Sequence, residues 1–348
     1  MRKLTVGLDV GDKYSWFCLL DHDGAKIEEG RVRTTPRGIG RKFEDVGRML
    51  VVLEVGTHSP WVSRLLEGCG HEVLVANSRR LQMIYGNDQK TDAVDAELLA
   101  RVGRMDPKLL YPVRHRGAGA QADLGVIRSR DALVQARVQL VNHVRGSVKA
   151  FGGRLPSCST PAFAQKAGGH IPEELVSTLG PVLETIARLT SQIRAYDRKI
   201  VQMCRERYPE TRSLSQVNGV GDLTALCYVL TLDDPRRFHR SRSVGPYLGL
   251  TRRRRESGER QPQLGISKAG DEMLRRLLVG SAHYILGPFG SDSDLRRWGQ
   301  QLASRGGKTG KKRAVVAVAR RLAVLLHSLW LSGEVYEPLR QARLDEAA

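Results

Sequence analysis

The stretch KLTVGLDVGDKYSWFCLLDHDGAKIEEGRVR, residues 3–33, decides how the N-terminal part of this chain is read. KLTVGLD (3–9) alternates and runs into a glycine turn, which predicts a strand. YSWFCLLD (14–21) makes a second strand, Asp23-Gly24 is a hairpin signal, and residues 26–34 form a third strand. Working outward, Thr35-Pro36 opens a helix expected to run to about Met49, and VVLEV (51–55) is a short buried strand. Residues 58–68 read as a helix punctuated by Ser59-Pro60, and HEVLVAN (71–77) as one more strand.

Three strands, helix, strand, helix, strand and then helices is the element order of an RNase H-like α/β domain, here residues 1–110. Thr91 is placed to cap a helix beginning at Asp92, with Asp95 one turn on along the same face. Residues 120–150 read as helical, and a Gly/Pro/Ser-rich break follows at 152–161. Over 174–205, Val182, Ile186, Leu189, Ile193, Tyr196, Ile200 and Met203 recur in steps of four and three. That heptad seam predicts a helical hairpin or coiled coil over 118–206, and leaves open whether its partner is in the same chain. Residues 207–340 read as a mainly α domain of short helices and basic loops.

Composition narrows the function. The chain has 348 residues, 41% of them hydrophobic, and carries a net charge of +19. Its mean hydropathy of −0.32 fits a soluble protein. The longest apolar run, AVLLHSLWLSG, is expected to be too short to span a membrane, and no secretory signal is read at the N-terminus. Five cysteines without metal-ligand spacing and nine unclustered histidines argue for reduced thiols in a cytoplasmic protein and against zinc. Residues 1–105 hold 16 Lys/Arg and 15 Asp/Glu, whereas residues 236–321 hold 21 and 6. A positive excess concentrated in this way predicts a polyanion partner.

The chemistry is carried by four acids in three segments: Asp9 in LTVGLDVG, Glu54 in VVLEVGTHSPW, and Asp92 with Asp95 in KTDAVDAELLA. In an RNase H-like sheet the first and fourth strands are neighbours, so their ends converge. Carboxylates packed together repel unless a cation holds them, and Mg2+ is the hard cation suited to a few carboxylates plus phosphate oxygens. Two such ions about 4 Å apart would bind the attacking and leaving oxygens of a displacement. Asp12, Asp88 and Glu97 are nearby substitutes; singly, each acid reads as a turn or cap residue. VNGVGDLTALCYVL (217–230) has a helix-hairpin-helix-like pattern, in which Gly219 and Gly221 would let backbone amides approach a phosphate. Ser257 follows Arg252, Arg253, Arg254 and Arg255, which could bind a target phosphate, with Ser241, Ser243 and Ser267 as competitors. Lys268, Arg275 and Arg276 in GISKAGDEMLRRLL, and Lys311, Lys312 and Arg313 at the start of a C-terminal helix, are further candidate phosphate contacts.

These motifs together resemble the DEDD-type insertion-sequence transposases, described as bridge-RNA-guided serine recombinases. GLDVG, LEVGTHS and KTDAVDAELLA are similar to the RuvC-like catalytic segments. VNGVG, YLGLTRRRRESG and GISKAGDEMLRRLL are similar to the C-terminal transposase domain. The resemblance implies that Asp9, Glu54, Asp92 and Asp95 bind Mg2+ and that Ser257 attacks a DNA phosphate to form a phosphoserine link. It also implies dimers or tetramers, donor and target DNA, a non-coding bridge RNA, and a nucleoid-associated place in a bacterial cytoplasm.

Three other readings use the same residues. A RuvC-like hydrolytic nuclease or junction resolvase would leave Ser257 incidental. A sugar kinase or actin-like ATPase would explain LDVGD as a phosphate hairpin, but no second Asp-x-Gly loop follows. A non-catalytic nucleic-acid binder would keep the basic surface and lose the chemistry.

Overall fold

The computed structural model describes residues 4–78, 91–253, 262, 264–305 and 307–340, without the side chain of residue 308. The chain divides into two compact units, Met1–Arg116 and Gly117–Ala348.

The first unit is built on a five-stranded sheet. Its strands are β1 (Thr5–Val10), β2 (Tyr14–Leu20), β3 (Lys26–Arg33), β4 (Leu50–Glu54) and β5 (Glu72–Ala76), in the order β3-β2-β1-β4-β5. The first three strands form an antiparallel meander, and β1–β4 and β4–β5 are parallel. Alternation along β1 and β4 sends side chains to opposite faces. Val6, Leu8, Val51 and Leu53 pack with Ile39 and Phe43 of helix α1 (Pro36–Phe43) and with Val62 and Leu66 of α2 (Ser59–Gly68). The opposite face carries α3 (Asp92–Met105), whose Leu99 and Val102 bury against Val52 and Ala76. A mixed sheet covered by helices on both faces fits the RNase H-like expectation.

Helix α1 is shorter than the expected run to Met49. Buried His71 explains the stop: its Nε2–H donates to the Phe43 carbonyl at 2.7 Å, while its Nδ1 accepts the Met49 amide at 3.4 Å. The chain between is thus held open, and Met49 enters the core.

Helix α3 lies unusually close to the sheet. A Cβ on Gly7 would sit 1.9 Å from the Ala96 carbonyl oxygen and 2.6 Å from the Ala100 amide. A Cβ on Gly103 would sit 2.4 Å from Val52 Cγ2. Lys26 of the exposed strand β3 adds an ion pair to Glu97 at 2.7 Å.

The second unit is helical. It contains α4 (Ala118–Ala150), α5 (Phe163–Ala167), α6 (Glu173–Glu206), α7 (Thr211–Ser215), α8 (Asp222–Leu232), α9 (Val244–Tyr247), α10 (Glu272–Leu286), α11 (Asp294–Ser304) and α12 (Gly310–Ser332). Helices α4 and α6 pack on each other within the chain. At one end Val141, Val144 and Val148 meet Leu179, Ile186 and Phe163; at the other Leu124 and Ile127 join Ile200 and Met203 in the C-terminal core. Along the seam Ile186, Ile193, Ile200 and Met203 are buried and Val182, Leu189 and Tyr196 half-buried, while Thr190, outside the seam, is buried as well. The reason is Arg137 of α4, itself buried, whose Nη1 donates to Thr190 Oγ1 at 3.2 Å.

Helix α8 is buried along almost its whole length, and its Tyr228 hydroxyl donates to the Ala323 carbonyl at 2.6 Å. Helix α12 extends well beyond the apolar run noted in the sequence, and by length and composition it could cross a membrane. Its Val318, Ala319, Leu322, Ala323 and Leu326 are buried in the core around α8, the pattern of an interior helix.

Overpacking a tight core contact costs typically 1–3 kcal/mol. Gly7→Ala meets helix backbone, which has no rotamer to relieve it. Urea unfolding is expected to show a loss of about 3 kcal/mol; unchanged stability would contradict the close packing of α3.

Candidate acidic site and nucleic-acid interface

Asp9 and Glu54 are each one residue beyond Leu8↔Leu53, the last registered pair of the parallel β1–β4 ladder. Neighbouring strands lie about 4.8 Å apart, so the two carboxylates leave adjacent positions at one sheet end. Asp9 shares a face with Gly7, and Glu54 with Val52, so both belong to the face that carries α3. Helix α3 runs so that its C-terminal Arg104 donates to the carbonyls of Asp21 and His22, just past the strand end paired with Thr5. Its N-terminus therefore points toward the Asp9 and Glu54 end. Asp92 precedes Ala96 by one turn, about 6 Å, and Asp9 follows Gly7 by about 7 Å in the same direction.

Thr91 caps α3 as expected, its hydroxyl accepting the Val94 amide at 3.3 Å. Both Asp92 and Asp95 fall in the first turn, where the helix dipole favours negative charge. Asp92 is exposed, and Asp9, Glu54 and Asp95 are half-buried. Among the described residues, no three Asp, Glu, His or Cys side chains form a ready-made metal cage. An open set of carboxylates still fits Mg2+, which keeps several waters and usually binds one or two carboxylates plus substrate phosphate.

Two histidines near these acids escaped the sequence reading. Trp61 Nε1–H donates to His58 Nδ1 at 3.0 Å, which leaves the proton on Nε2 facing Asp12 Oδ1 at 3.3 Å. This contact joins the turn after Asp9 to the loop after Glu54. The available signal was His58 and Trp61 in EVGTHSPW, four and seven residues after Glu54. In the same loop, buried Ser59 accepts the Gly56 amide at 3.0 Å and hydrogen-bonds His115 Nε2 at 2.9 Å. Burial, with Arg64 and Arg116 adding repulsion, holds the His115 pKa below its ordinary 6.5.

In the second unit, the Asn218–Gly221 turn joins α7 to α8. Gly219 has φ +91° and packs against α10, with Tyr284 Cδ1 3.0 Å from where a Cβ would stand. Gly221 is the exposed N-cap residue of α8, with open space around it. Ser257, Arg254 and Arg255 lie outside the described residues, as does Asp88. The stems of that basic loop are paired: Arg253 N–H donates to Gly265 O at 3.0 Å, and Ser267 N–H to Thr251 O at 2.8 Å. Arg252, Arg253, Lys268, Lys311, Lys312 and Arg313 are exposed. Arg276 is exposed but paired to Asp131 at 2.6 Å. Arg275 departs from the expected surface role: it is buried, and its guanidinium donates to the carbonyls of Leu248 and Ala269. It ties together the described segments on either side of the basic stretch. Of the competing serines, Ser241 donates to His327 Nδ1 at 2.9 Å, while His327 Nε2–H is held by the Pro235 carbonyl.

Folding lowers the proton affinity of His115, so on acidification the unfolded chain takes up that proton first. The stability linked to neutral His115 is complete above pH 6.5 and is lost as pH falls below it. Urea titrations at pH 7.5 and 5.5 are expected to show a smaller acid loss in His115→Gln than in the wild type; equal losses would contradict this.

A DEDD-type transposase model, that of IS110, matches residues 6–151, and a second model, the transposase IS116/IS110/IS902 family, matches residues 211–288. The y4pF/y4sB protein of Sinorhizobium fredii is 29% identical over 88% of this chain and 79% of its own length. The transposase for insertion sequence element IS1111A of Coxiella burnetii is 26% identical over 95% of this chain and 90% of its own. The transposase for insertion sequence element IS1328 of Yersinia enterocolitica is 28% identical over 68% and 71%. With the acidic segments in one matched region and the Gly219 turn in the other, this chain belongs to the IS110/IS116 family of DEDD transposases.

Proposed function

We propose that this insertion-sequence transposase cuts and rejoins DNA through an acidic site, in which Asp9, Glu54, Asp92 and Asp95 hold Mg2+, and a serine nucleophile, Ser257. What supports the reading is that Asp9 and Glu54 end adjacent parallel strands on the face that α3 covers, with Asp92 and Asp95 in the first turn of that helix. When bound, Mg2+ would neutralise phosphate charge and polarise the scissile P–O bond. The four carboxylates would hold that charge at the sheet end, and the exposed side chains of Arg252 and Arg253 would bind a DNA phosphate beside Ser257 in sequence. Ser257 Oγ would form a new bond to phosphorus as one sugar oxygen leaves, giving the phosphoserine link. Exposed Lys268, Lys311, Lys312 and Arg313, with the backbone at Gly219 and Gly221, would hold donor and target DNA without reading sequence. By the same reading the protein acts as a dimer or tetramer with a bridge RNA that supplies target choice.

A second reading keeps the acids and moves the nucleophile to Ser241, because His327 lies within hydrogen-bond reach as a base. Burial of His327 and the structural use of its other nitrogen favour a bracing role for this pair.

The test is covalent trapping with purified protein, RNA from the element's flank, labelled donor and target DNA, and Mg2+. A protein–DNA adduct is expected on a denaturing gel, to be lost in Ser257→Ala and with EDTA, and reduced at least a hundredfold in Asp9→Ala. Loss in Ser241→Ala with retention in Ser257→Ala would move the nucleophile. Free cut ends with no adduct in any variant would leave a hydrolytic nuclease.

A further inference from the structure

Phe289 is the most conspicuous unexplained side chain of the second unit, at 79% exposed. It is not on a loose loop. It sits in the turn Gly287-Pro288-Phe289-Gly290, closed by the Gly287 amide on the Tyr284 carbonyl at 3.1 Å and the Gly290 amide on the Gly287 carbonyl at 3.3 Å. Arg296 reaches under the turn, its Nη1 donating to the Ile285 carbonyl and to the Gly287 carbonyl at 2.6 Å. Gly290 is packed so tightly that a Cβ would meet the Ile285 carbonyl oxygen at 2.1 Å. A rigid, braced turn therefore holds a large apolar ring out in water and forgoes the hydrophobic gain of burying it.

The surroundings point to one occupant. Tyr284, one turn back on α10, is 44% exposed and lies against Gly219 of the Asn218–Gly221 turn. Asn218 Nδ2 donates to Ser291 Oγ at 2.9 Å, fastening that turn to the chain just after Phe289. Beside them opens a cleft of about 240 Å³, lined among others by Gln216, Asn218, Ser291, Asp292 and Tyr336. It is smaller than the usual site for a drug-sized ligand. Gln216 is engaged by the Ser213 carbonyl and the Tyr336 amide, and Asp292 by Arg297, so the Asn218 amide oxygen is the group suited to a donor on the edge of a planar base, and the exposed aromatic rings suit its face. The region 236–321, with 21 Lys/Arg against 6 Asp/Glu, supplies the charge complement for a nucleic-acid backbone.

We propose that Phe289 and Tyr284, with the adjoining cleft, form a site for an unpaired nucleobase, exposed when a strand is opened or kinked during transposition. The site rests on the reading of this chain as a nucleic-acid-processing transposase, and adds to it a subsite that prefers unstacked bases over intact duplex. Phe289 offers its ring as a stacking surface or wedge, and the rigid turn spares the entropy of ordering it on binding.

The experiment uses the full chain with a single-stranded oligonucleotide containing 2-aminopurine, and with the duplex of the same sequence, at one salt concentration. Wild-type protein is expected to change the 2-aminopurine fluorescence by stacking. Phe289→Ala is expected to bind the single strand roughly five- to a hundredfold more weakly, the range for loss of one stacked base. Duplex binding should stay within about twofold, and Phe289→Trp should restore the single-strand signal. Thermal melting checks that the exposed substitution leaves the fold intact. Equal loss on single strand and duplex, no loss on either, or a change of oligomeric state in Phe289→Ala would overturn the proposal, the last by assigning the patch to a second copy. Normal duplex binding without a Phe289 effect sinks only this subsite, whereas absence of all nucleic-acid binding sinks the transposase reading beneath it.

Discussion

The contact between Gly7 and helix α3 is the constraint on which the first unit depends. With no side chain at residue 7, backbone meets backbone at Ala96 and Ala100, closer than any Cβ would allow. Gly103 against Val52 repeats the device one strand over, so the helix crosses β1 and β4 at a fixed height and angle. Because Asp92 lies one turn before this contact and Asp9 two residues after it, the glycine sets how far the helix acids stand from the strand acids. The His58–Asp12 bridge and the Ser59–His115 hydrogen bond then fix the loops that follow Glu54 and Asp9 at the same sheet end.

Holding four carboxylates at one end of a sheet works against folding, since like charges in partial burial repel. The helix dipole offsets some of this for Asp92 and Asp95, and exposure to water screens the rest. Such an arrangement is expected to be less stable without a divalent cation than with one, a stability cost common at functional centres. The second unit solves a different problem. Its core is continuous around α8 and α12, so basic side chains such as Arg252, Lys268 and Lys311 face solvent, while Arg275 is used internally to join the Leu248 and Ala269 carbonyls.

The local signals in the sequence carried much of this. Alternation in residues 3–9, the strand read at 14–21, the short apolar run at 51–55 and the Thr91 cap all correspond to observed elements, because each depends on neighbours along the chain. What depended on distant partners was not legible. The end of α1 is decided by His71, 28 residues beyond Phe43. Arg275 looked like a surface cation because nothing nearby in sequence announces the carbonyls it meets. Thr190 is buried outside the seam, where Arg137 of another helix reaches it, and His58 gained its significance only when β1 and β4 came side by side. Asp9, Glu54, Asp92 and Asp95 could be picked out as acids at element ends; that Asp9 and Glu54 leave the sheet face covered by the helix of Asp92 and Asp95 required the glycine contact.

The most direct measurement is anomalous scattering from crystals of the protein soaked in Mn2+ as a stand-in for Mg2+. The account predicts density between the Asp9 and Glu54 carboxylates, with Asp92 or Asp95 from α3 as a further ligand, lost in Asp9→Asn. Mn2+ bound elsewhere only, or an ordered sheet end whose four carboxylates turn away from one another in saturating metal, would contradict it.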